Sequence, residues 1–308
     1  MPIIILLFIH ALVITALSPL FVGIIRKCKA RLQGREGASI FQPYGDLQKL
    51  FRKDEVISTD ASWVFRHAPY IIFGAMAAAV SGIPLLVAGE TSSMGNLFVF
   101  VYLLAVGTFF TALAGMDTGS SFGGFGSSRE MSLSALSEAA LVFSFIPLAL
   151  AAHSGNFGEI TNVFLQATTI DFLPVFIAFS AFFIALLTEN ARVPVDNPAT
   201  HLELTMIHEA MILEYSGKRL ALIEWASSVK LLGFVILGAN LFFPWGLLSP
   251  AGGSFGVAIF ILVAKILLFA FGIALLESVI AKLRIFRVPN LIATAFVLGA
   301  VAIALTVV

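Results

Sequence analysis

Eight long apolar runs limit how this chain of 308 residues folds. A bilayer core of ~30 Å needs about 20 consecutive apolar residues in a helix that rises about 1.5 Å per residue. Lipid offers no water to backbone amides and carbonyls, so each run is expected to be helical. The sequence therefore predicts an all-α integral membrane protein, a single domain over 1–308. Its predicted spans are 3–25, 70–88, 97–115, 133–152, 172–188, 228–244, 255–276 and 290–307.

Positive charge is concentrated on one side of this predicted bundle. Of the 18 Lys and Arg residues, sixteen fall in alternate connections, and the connections between these contain none. Short loops rich in Lys and Arg remain in the cytoplasm, so both chain termini are predicted to lie on the outer side. The predicted cytoplasmic loops are 26–69, 116–132, 189–227 and 277–289, and the first and third are about forty residues long.

The cysteine content and the net charge exclude two classes of function. The chain has one cysteine, Cys28, and a formal net charge of zero. One cysteine cannot form an intrachain disulfide, and an iron–sulfur cluster usually takes about four cysteine ligands. Any redox centre is therefore expected in a partner protein, with no cofactor bound by this chain. A neutral chain also lacks the global basic field that attracts nucleic acid.

The segment 188–217, TENARVPVDNPATHLELTMIHEAMILEYSG, gathers acids in a chain with only 12% charged residues. Pro194 and Pro198 interrupt the fifth helix, and a second helix with Glu203 and Glu214 on one face is expected to follow. Its histidines are seven residues apart, ~10 Å along a helix and too far to share one zinc ion. Two interpretations stay open, a solvated surface for a partner or the lining of a cavity that enters the membrane. The ionisable residues are Glu189, Arg192, Asp196, His201, Glu203, His208, Glu209 and Glu214.

Three charged residues lie within the predicted spans. A charge near the bilayer centre costs at least ~3 kcal/mol on insertion, and such residues usually face an ion pathway or a buried partner. Glu138 and Lys265 are the deeper two, and either explanation fits them. Lys265 is expected to face the protein interior, within reach of a carboxylate or a water-filled cavity. Lys230 lies near the cytoplasmic end of its span, where a lysine can extend its ammonium to the interface.

The glycine-rich stretch FGGFGSS at 122–128 resembles a nucleotide-binding loop only superficially. A dinucleotide-binding motif follows a β-strand and opens a helix within a βαβ unit. This stretch falls between two predicted membrane spans. It is expected to form a tight, closely packed connection between them.

The long loops resemble those of subunit 1 of NADH dehydrogenase, the respiratory complex I, and of its hydrogenase relatives. That family shows an acid at the end of the fifth span, a Pro-x-Asp-x-Pro turn, an acidic helix and Glu-Tyr-Ser-Gly. This chain has Glu189, PVDNP at 194–198, Glu203 and EYSG at 214–217. The resemblance extends to the other motifs and covers essentially the whole chain. They are ARLQGREG at 30–37, FQPYGDLQKLFRKD at 41–54, and SREMSLSALSEAAL at 128–141, with Glu138 at the family's intramembrane glutamate.

Two departures from complex I point to one branch of the family. The acidic turn PEAExEL of complex I proteins reads PATHLEL at 198–204, and KLRIFRVPNLI at 282–292 lacks the family's Asp-Gln pair. In these features the chain resembles the membrane subunits of energy-conserving nickel–iron hydrogenases of the formate hydrogenlyase and hydrogenase-4 types. These departures disfavour a quinone site.

This resemblance implies a non-catalytic membrane subunit of a multi-subunit oxidoreductase. The implied partners are the large and small iron–sulfur hydrogenase subunits, antiporter-like membrane subunits and the lipid bilayer of a prokaryotic inner membrane. Nickel–iron and iron–sulfur centres would belong to the partners, and hydrogen evolution would be coupled to H⁺ or Na⁺ movement. The implied ion path contains Glu138, Glu189, Asp196, Glu203, Glu209, Glu214 and Lys265. The implied docking residues are Arg31, Arg35 and Arg192, with His201, His208 and Asp46 in either role.

Two other functions stay open at the level of sequence. The first is the quinone-site subunit of a complex I-type oxidoreductase. The second is a stand-alone ion transporter, which the absence of an internal repeat in this sequence and the nearly uncharged outer loops disfavour.

Overall fold

The computed structural model describes residues 3–167, 171–196, 206–249 and 252–307, and every regular element within these ranges is helical. Eight of the helices are long and apolar enough to cross a membrane. The predicted all-α, eight-span architecture is thus confirmed, and the chain is a multi-pass membrane protein. The helices are α1 (Ile3–Leu32), α2 (Gln42–Arg52), α3 (Trp63–Ser81), α4 (Leu97–Asp117), α5 (Ser121–Ala152), α6 (Phe157–Gln166), α7 (Phe172–Glu189), α8 (His208–Ile212), α9 (Gly217–Leu241), α10 (Phe255–Val279) and α11 (Val288–Val307).

The second spanning helix, α3, lies earlier in the chain than its apolar run predicted. It covers 63–81, whereas the predicted span was 70–88. The Ser62 hydroxyl accepts a hydrogen bond from the Val64 amide at 3.1 Å and so caps the first turn. At the other end, a Cβ on Gly82 would lie 2.1 Å from the Met94 carbonyl oxygen. Average hydropathy detects neither the cap nor this close approach, and both set the helix ends.

The glycine-rich stretch 122–128 is part of α5, so the prediction of a connection between helices is wrong. Close packing is nevertheless the role of two of its glycines. A Cβ on Gly123 would lie 2.0 Å from the Gly115 carbonyl oxygen of α4. One on Gly126 would lie 2.9 Å from the Ile207 carbonyl oxygen, just before α8. The missing side chains let α4 and the start of α8 lie directly against α5.

Helix α9 forms the centre of the bundle. Within the most apolar 18-residue stretch of α9, 61% of the residues are buried, the largest share among the eight spanning helices of the described chain. The corresponding share is 22% in both α1 and α10. The Phe234 ring packs against Phe100 and Phe182 with centroid separations of 5.6 and 6.1 Å. In lipid such contacts are the main source of helix association. Asn240, a polar residue near the end of α9, is accordingly 1% exposed and surrounded by protein.

The third long loop contains one short helix among its described residues. Helix α8 has only five residues and packs against α4 and α5. Glu214 follows this helix, so the described part of the loop does not form the predicted longer helix with Glu203 and Glu214 on one face. Glu203 itself, like His201, lies outside the described residues.

Candidate functional site

A cavity of 290 Å³ opens where α2 and α8 meet α1, α7 and α9, and we call it the entrance cavity. Helix α2, which has a proline in its first turn, buries Pro43 and Leu47, and its Asp46 lines the cavity. The turn after α7 and the first residues of α8 form the opposite wall. Its ionisable lining residues are Arg26, Asp46, Arg192, Asp196, His208, Glu209 and Glu224.

A second, smaller cavity of 40 Å³ lies beyond the entrance cavity, and we call it the inner chamber. Two hydroxyl side chains of α4, Thr108 and Thr111, contribute to its wall. Its charged lining residues are Glu130 of α5, Glu189 of α7 and Lys230 of α9. Charges from three spanning helices thus meet at one point inside the bundle.

Glu189 is the most extensively partnered acid of the inner chamber. Its Oε2 lies 2.8 Å from Lys230 Nζ, and its Oε1 accepts a hydrogen bond from the Ser137 hydroxyl at 2.5 Å. Only 3% of the Glu189 side chain is exposed, and 13% of Lys230. The ammonium of Lys230 is thus held inside the bundle by the Glu189 carboxylate.

Glu138 lies next to the chamber on α5. A small cavity of 10 Å³ continues from the chamber along α5 and is lined by Glu130, Ser134 and Ser137. Glu138 follows Ser137 in sequence and is half-buried. The charges of Glu189 and Lys230 act on it. Glu138 therefore lies near enough to Glu189 for the charge of that carboxylate to act on it.

Asp196 fastens the turn after α7 to the start of α8. The residue is 2% exposed. Its Oδ2 accepts hydrogen bonds from the amides of Ile207 and His208 at 3.3 and 3.2 Å. Its Oδ1 lies 2.9 Å from Lys282 Nζ. Asp196 therefore fixes the position of His208 and connects this wall to the chain after α10.

Glu277 joins three segments behind the entrance cavity. Its carboxylate lies 2.9 Å from Lys29 Nζ of α1 and 3.2 Å from Arg192, whose side chain is only 14% exposed. Arg192, expected to contact a partner, is thus already engaged within the chain. The predicted seventh span ended at residue 276, and the acid that follows it is buried inside the helix.

The entrance cavity itself is more open to water. Arg26 and Asp46 approach to 3.7 Å with much of both side chains exposed. His208 lies deeper, and its burial lowers the pKa of the imidazole, with Glu209 and Asp196 acting in the opposite sense. A neutral imidazole is the expected form there near neutral pH.

Lys265 is apart from these cavities. Its Nζ donates to the Phe243 carbonyl and to Asn240 Oδ1, the latter at 3.4 Å, at the C-terminal end of α9. Within the described part of the chain, no carboxylate lies within ion-pair distance of Lys265. The Lys265 ammonium is thus bound by an amide oxygen and a backbone carbonyl in place of the expected carboxylate. Both acceptors lie near the C-terminal end of α9, where the negative end of the helix dipole stabilises a positive charge.

Three further predicted residues lie on the surface. Arg31 and Arg35 are exposed at the end of α1 and beyond it, where a partner could reach both. Glu214 is also exposed and lines none of the three cavities. Among the described residues, no three His, Cys, Asp or Glu side chains converge as metal ligands would.

Glu130, Glu224 and Glu277 are functional candidates that the sequence pattern did not indicate. Glu130 belongs to the same motif as Glu138, and a fourth helix begun at Ser121 would have included it. The other two were assigned to loops because apolar runs stop at the first charges, although α9 and α10 extend past these residues.

Comparison with known proteins identifies the family. The family model described as NADH dehydrogenase matches residues 3–308. Formate hydrogenlyase subunit 4 of Escherichia coli (strain K12) is 33% identical over 285 residues, 92% of each chain. Hydrogenase-4 component C of the same organism is 32% identical over 295 residues, 95% of this chain and 92% of that relative.

A solved structure shows the same fold. A chain of the membrane-bound sulfane sulfur reductase, an archaeal respiratory membrane complex, superimposes with a TM-score of 0.83. It is 21% identical and covers 99% of this chain and 100% of the other. With a family model matched along nearly its full length and relatives above 30% identity, this chain belongs to the NADH dehydrogenase family of membrane subunits.

Proposed function

We propose that the chain is the membrane-anchor and ion-path subunit of a membrane-bound nickel–iron hydrogenase complex. Its similarity to formate hydrogenlyase subunit 4 and to hydrogenase-4 component C supports this assignment. The nickel–iron centre and the iron–sulfur clusters belong to partner subunits, and this chain performs no redox step. The complex lies in the inner membrane of a prokaryote, with both termini of this chain on the outer side.

The observation that carries the proposal is the series of ionisable side chains that extends in space from the entrance cavity to the centre of the bundle. The entrance cavity, the inner chamber and the small cavity share lining residues, so each adjoins the next. Charged residues inside a membrane protein are costly and typically mark ion pathways. Energy released when protons are reduced to hydrogen would be coupled to H⁺ or Na⁺ movement through this path.

The docking surface for the peripheral arm is formed by the first and third long loops, 26–69 and 189–227. Arg31 and Arg35 are exposed there, and a guanidinium suits bidentate pairing with carboxylates of a partner. The apolar side chains of Phe41 and Val56 are 66% and 78% exposed in the first loop. An exposed apolar group rimmed by charge is typical of a protein interface.

Purification of the complex in mild detergent tests the assignment. We expect the tagged chain to bring with it hydrogenase large and small subunits, antiporter-like membrane subunits, nickel and iron. Reversal of Arg31 and Arg35 to Glu should release the soluble subunits while the membrane subunits remain. Recovery of the chain alone as a functional carrier would instead establish a stand-alone transporter. Quinone-dependent electron transfer without nickel would establish a complex I-type subunit.

A further inference from the structure

One wall separates the entrance cavity from the inner chamber. The residues that line both cavities, and so make up this wall, are Asn190, Ala191, His208, Ile223 and Ser227. His208 is the only side chain among these five that titrates between about pH 5 and 8. Among the side chains that line both cavities, His208 is therefore the one that can accept and release a proton near neutral pH.

Asn190 shows that the wall has unmet hydrogen-bonding capacity. Its Nδ2 donates to the Leu186 carbonyl at 2.8 Å, whereas its buried Oδ1 accepts no hydrogen bond. A buried acceptor without a donor is costly, so a water or a ring N–H belongs beside it. The inner chamber, at 40 Å³, exceeds the roughly 10–15 Å³ that one water needs.

The surroundings of His208 favour an imidazole that exchanges protons. Asp196 holds its backbone amide, which fixes the residue at the start of α8. Glu209 on α8, Asp196 on the turn and Lys230 on α9 act on the ring. Of the helices packed against α8, α5 contributes Glu130 to the chamber, and α4 contributes two threonine hydroxyls. A neutral imidazole has one acceptor and one donor nitrogen.

Asp196 offers a second route that the structure makes less suitable. It lines both the entrance cavity and the small cavity next to Glu189. Its carboxylate, however, accepts from two backbone amides and from Lys282. Protonation would weaken these three interactions and release the turn from α8. Asp196 therefore serves to position His208, and the histidine is the better carrier.

We propose that the ion that passes from the entrance cavity into the inner chamber is a proton and that His208 carries it. This inference rests on the proposed ion-path function. One ring nitrogen accepts a proton from the entrance side, and the other releases its own proton to the chamber side, toward Glu189. Ring reorientation then restores the starting tautomer, so atoms and charge balance. A dehydrated Na⁺ needs several oxygen ligands, and the side chains shared by both cavities offer only the Asn190 amide and the Ser227 hydroxyl.

The intact complex in sealed membrane vesicles provides the test. Proton transport and ²²Na⁺ uptake are each measured per hydrogen evolved, with hydrogen evolution in uncoupled vesicles as the activity reference. We expect His208→Gln to lower proton transport per hydrogen at least about tenfold, since a positioned proton-transfer group typically contributes more than that. His153→Gln, at an exposed histidine outside both long loops, should transport as the unaltered complex does.

Imidazole added to a His208→Ala complex separates proton transfer from packing. Restored transport supports the inference, because free imidazole replaces the ring and not the fold. An assembled complex whose transport is lost and not restored contradicts it. Normal proton transport in the His208→Gln complex would also contradict the inference, as would Na⁺ uptake without proton transport in the unaltered complex. Either of these two results would leave the proposed ion-path function intact. If the unaltered complex evolves hydrogen and moves neither ion, the ion-path function itself fails.

Discussion

Lys230 of α9 and Glu189 of α7 form an ion pair of 2.8 Å whose side chains are 13% and 3% exposed. Withdrawing two charges from water costs several kcal/mol per ion, and their attraction often only offsets that cost. Such a pair adds little net stability compared with an apolar pair of similar volume. Its position between the inner chamber and the Ser137 hydroxyl fits a role in moving charge.

Removal of one partner of this pair should destabilise the complex. Lys230→Met leaves the Glu189 carboxylate buried without its cation, which typically costs about 3–5 kcal/mol. The double variant Lys230→Met with Glu189→Gln leaves no unpaired charge and should recover much of that loss. Thermal unfolding of the purified complex measures both. A double variant that unfolds below the single one would show that the pair is not coupled in this way.

Two glycines of α5 provide a matched comparison of close packing. A Cβ on Gly126 would lie 2.9 Å from Ala210 Cβ and from the Ile207 carbonyl oxygen, whereas one on Gly124 meets nothing within 4 Å. Gly126→Ala should lower stability by about 1–3 kcal/mol through overpacking against α8. Gly124→Ala should be neutral or stabilise by up to about 1 kcal/mol through helix propensity. Equal melting temperatures for the two variants would refute the packing of α8 on α5.

The partly buried carboxyl group of Glu90 should make the stability of the protein depend on pH. Burial raises the pKa of its carboxyl, and the buried Oε2 lies 3.7 Å from His10 Nε2 without a hydrogen bond. A raised pKa in the folded state means that stability is lost as pH rises through it. Glu90→Gln should therefore raise the melting temperature at about pH 8 and leave it unchanged near pH 4. Glu159→Gln, at an exposed acid, is the control, and an equal gain at both pH values would count against the burial argument.

Lys265 remains a candidate for the ion path with an unexpected set of contacts. Its ammonium joins α10 to Asn240 and to the Phe243 carbonyl. Lys265→Met removes the charge with little change in length and should lower ion transport per hydrogen, whereas Lys265→Arg should retain most of it. Vesicle transport assays compare the two. If the Met variant assembles, evolves hydrogen and transports normally, Lys265 contributes packing only.

The eight spans could be predicted from the sequence because burial in lipid requires an apolar average over a whole helix. The starts of α5 and α9 could not, since the first turns of both helices contain polar residues and glycine. The hydropathy average falls at such residues, although the helix continues through them. For the same reason Glu130, Glu224 and Glu277 were assigned to loops.

Among the predicted site residues, those that are close in sequence are the ones whose grouping could be expected before the structure. Asp196, His208 and Glu209 belong to one loop, so their common cavity could be expected. The pairing of Glu189 with Lys230 and of Glu277 with Lys29 connects positions 41 and 248 residues apart. Only the packing of α7, α9, α10 and α1 brings them together, and no local pattern encodes it.

The central claim is that the acids around the inner chamber couple hydrogen evolution to ion movement. The most direct test measures ions moved per hydrogen in vesicles that contain the Glu189→Gln complex. Glu138→Gln is measured in parallel, and the double variant of Glu189 and Lys230 controls for an unpaired charge. Glu159→Gln controls for loss of an exposed acid. We predict normal hydrogen evolution in uncoupled vesicles and at least about tenfold fewer ions per hydrogen for Glu189→Gln. An unchanged ratio of ions to hydrogen in both Glu189→Gln and Glu138→Gln would contradict the account.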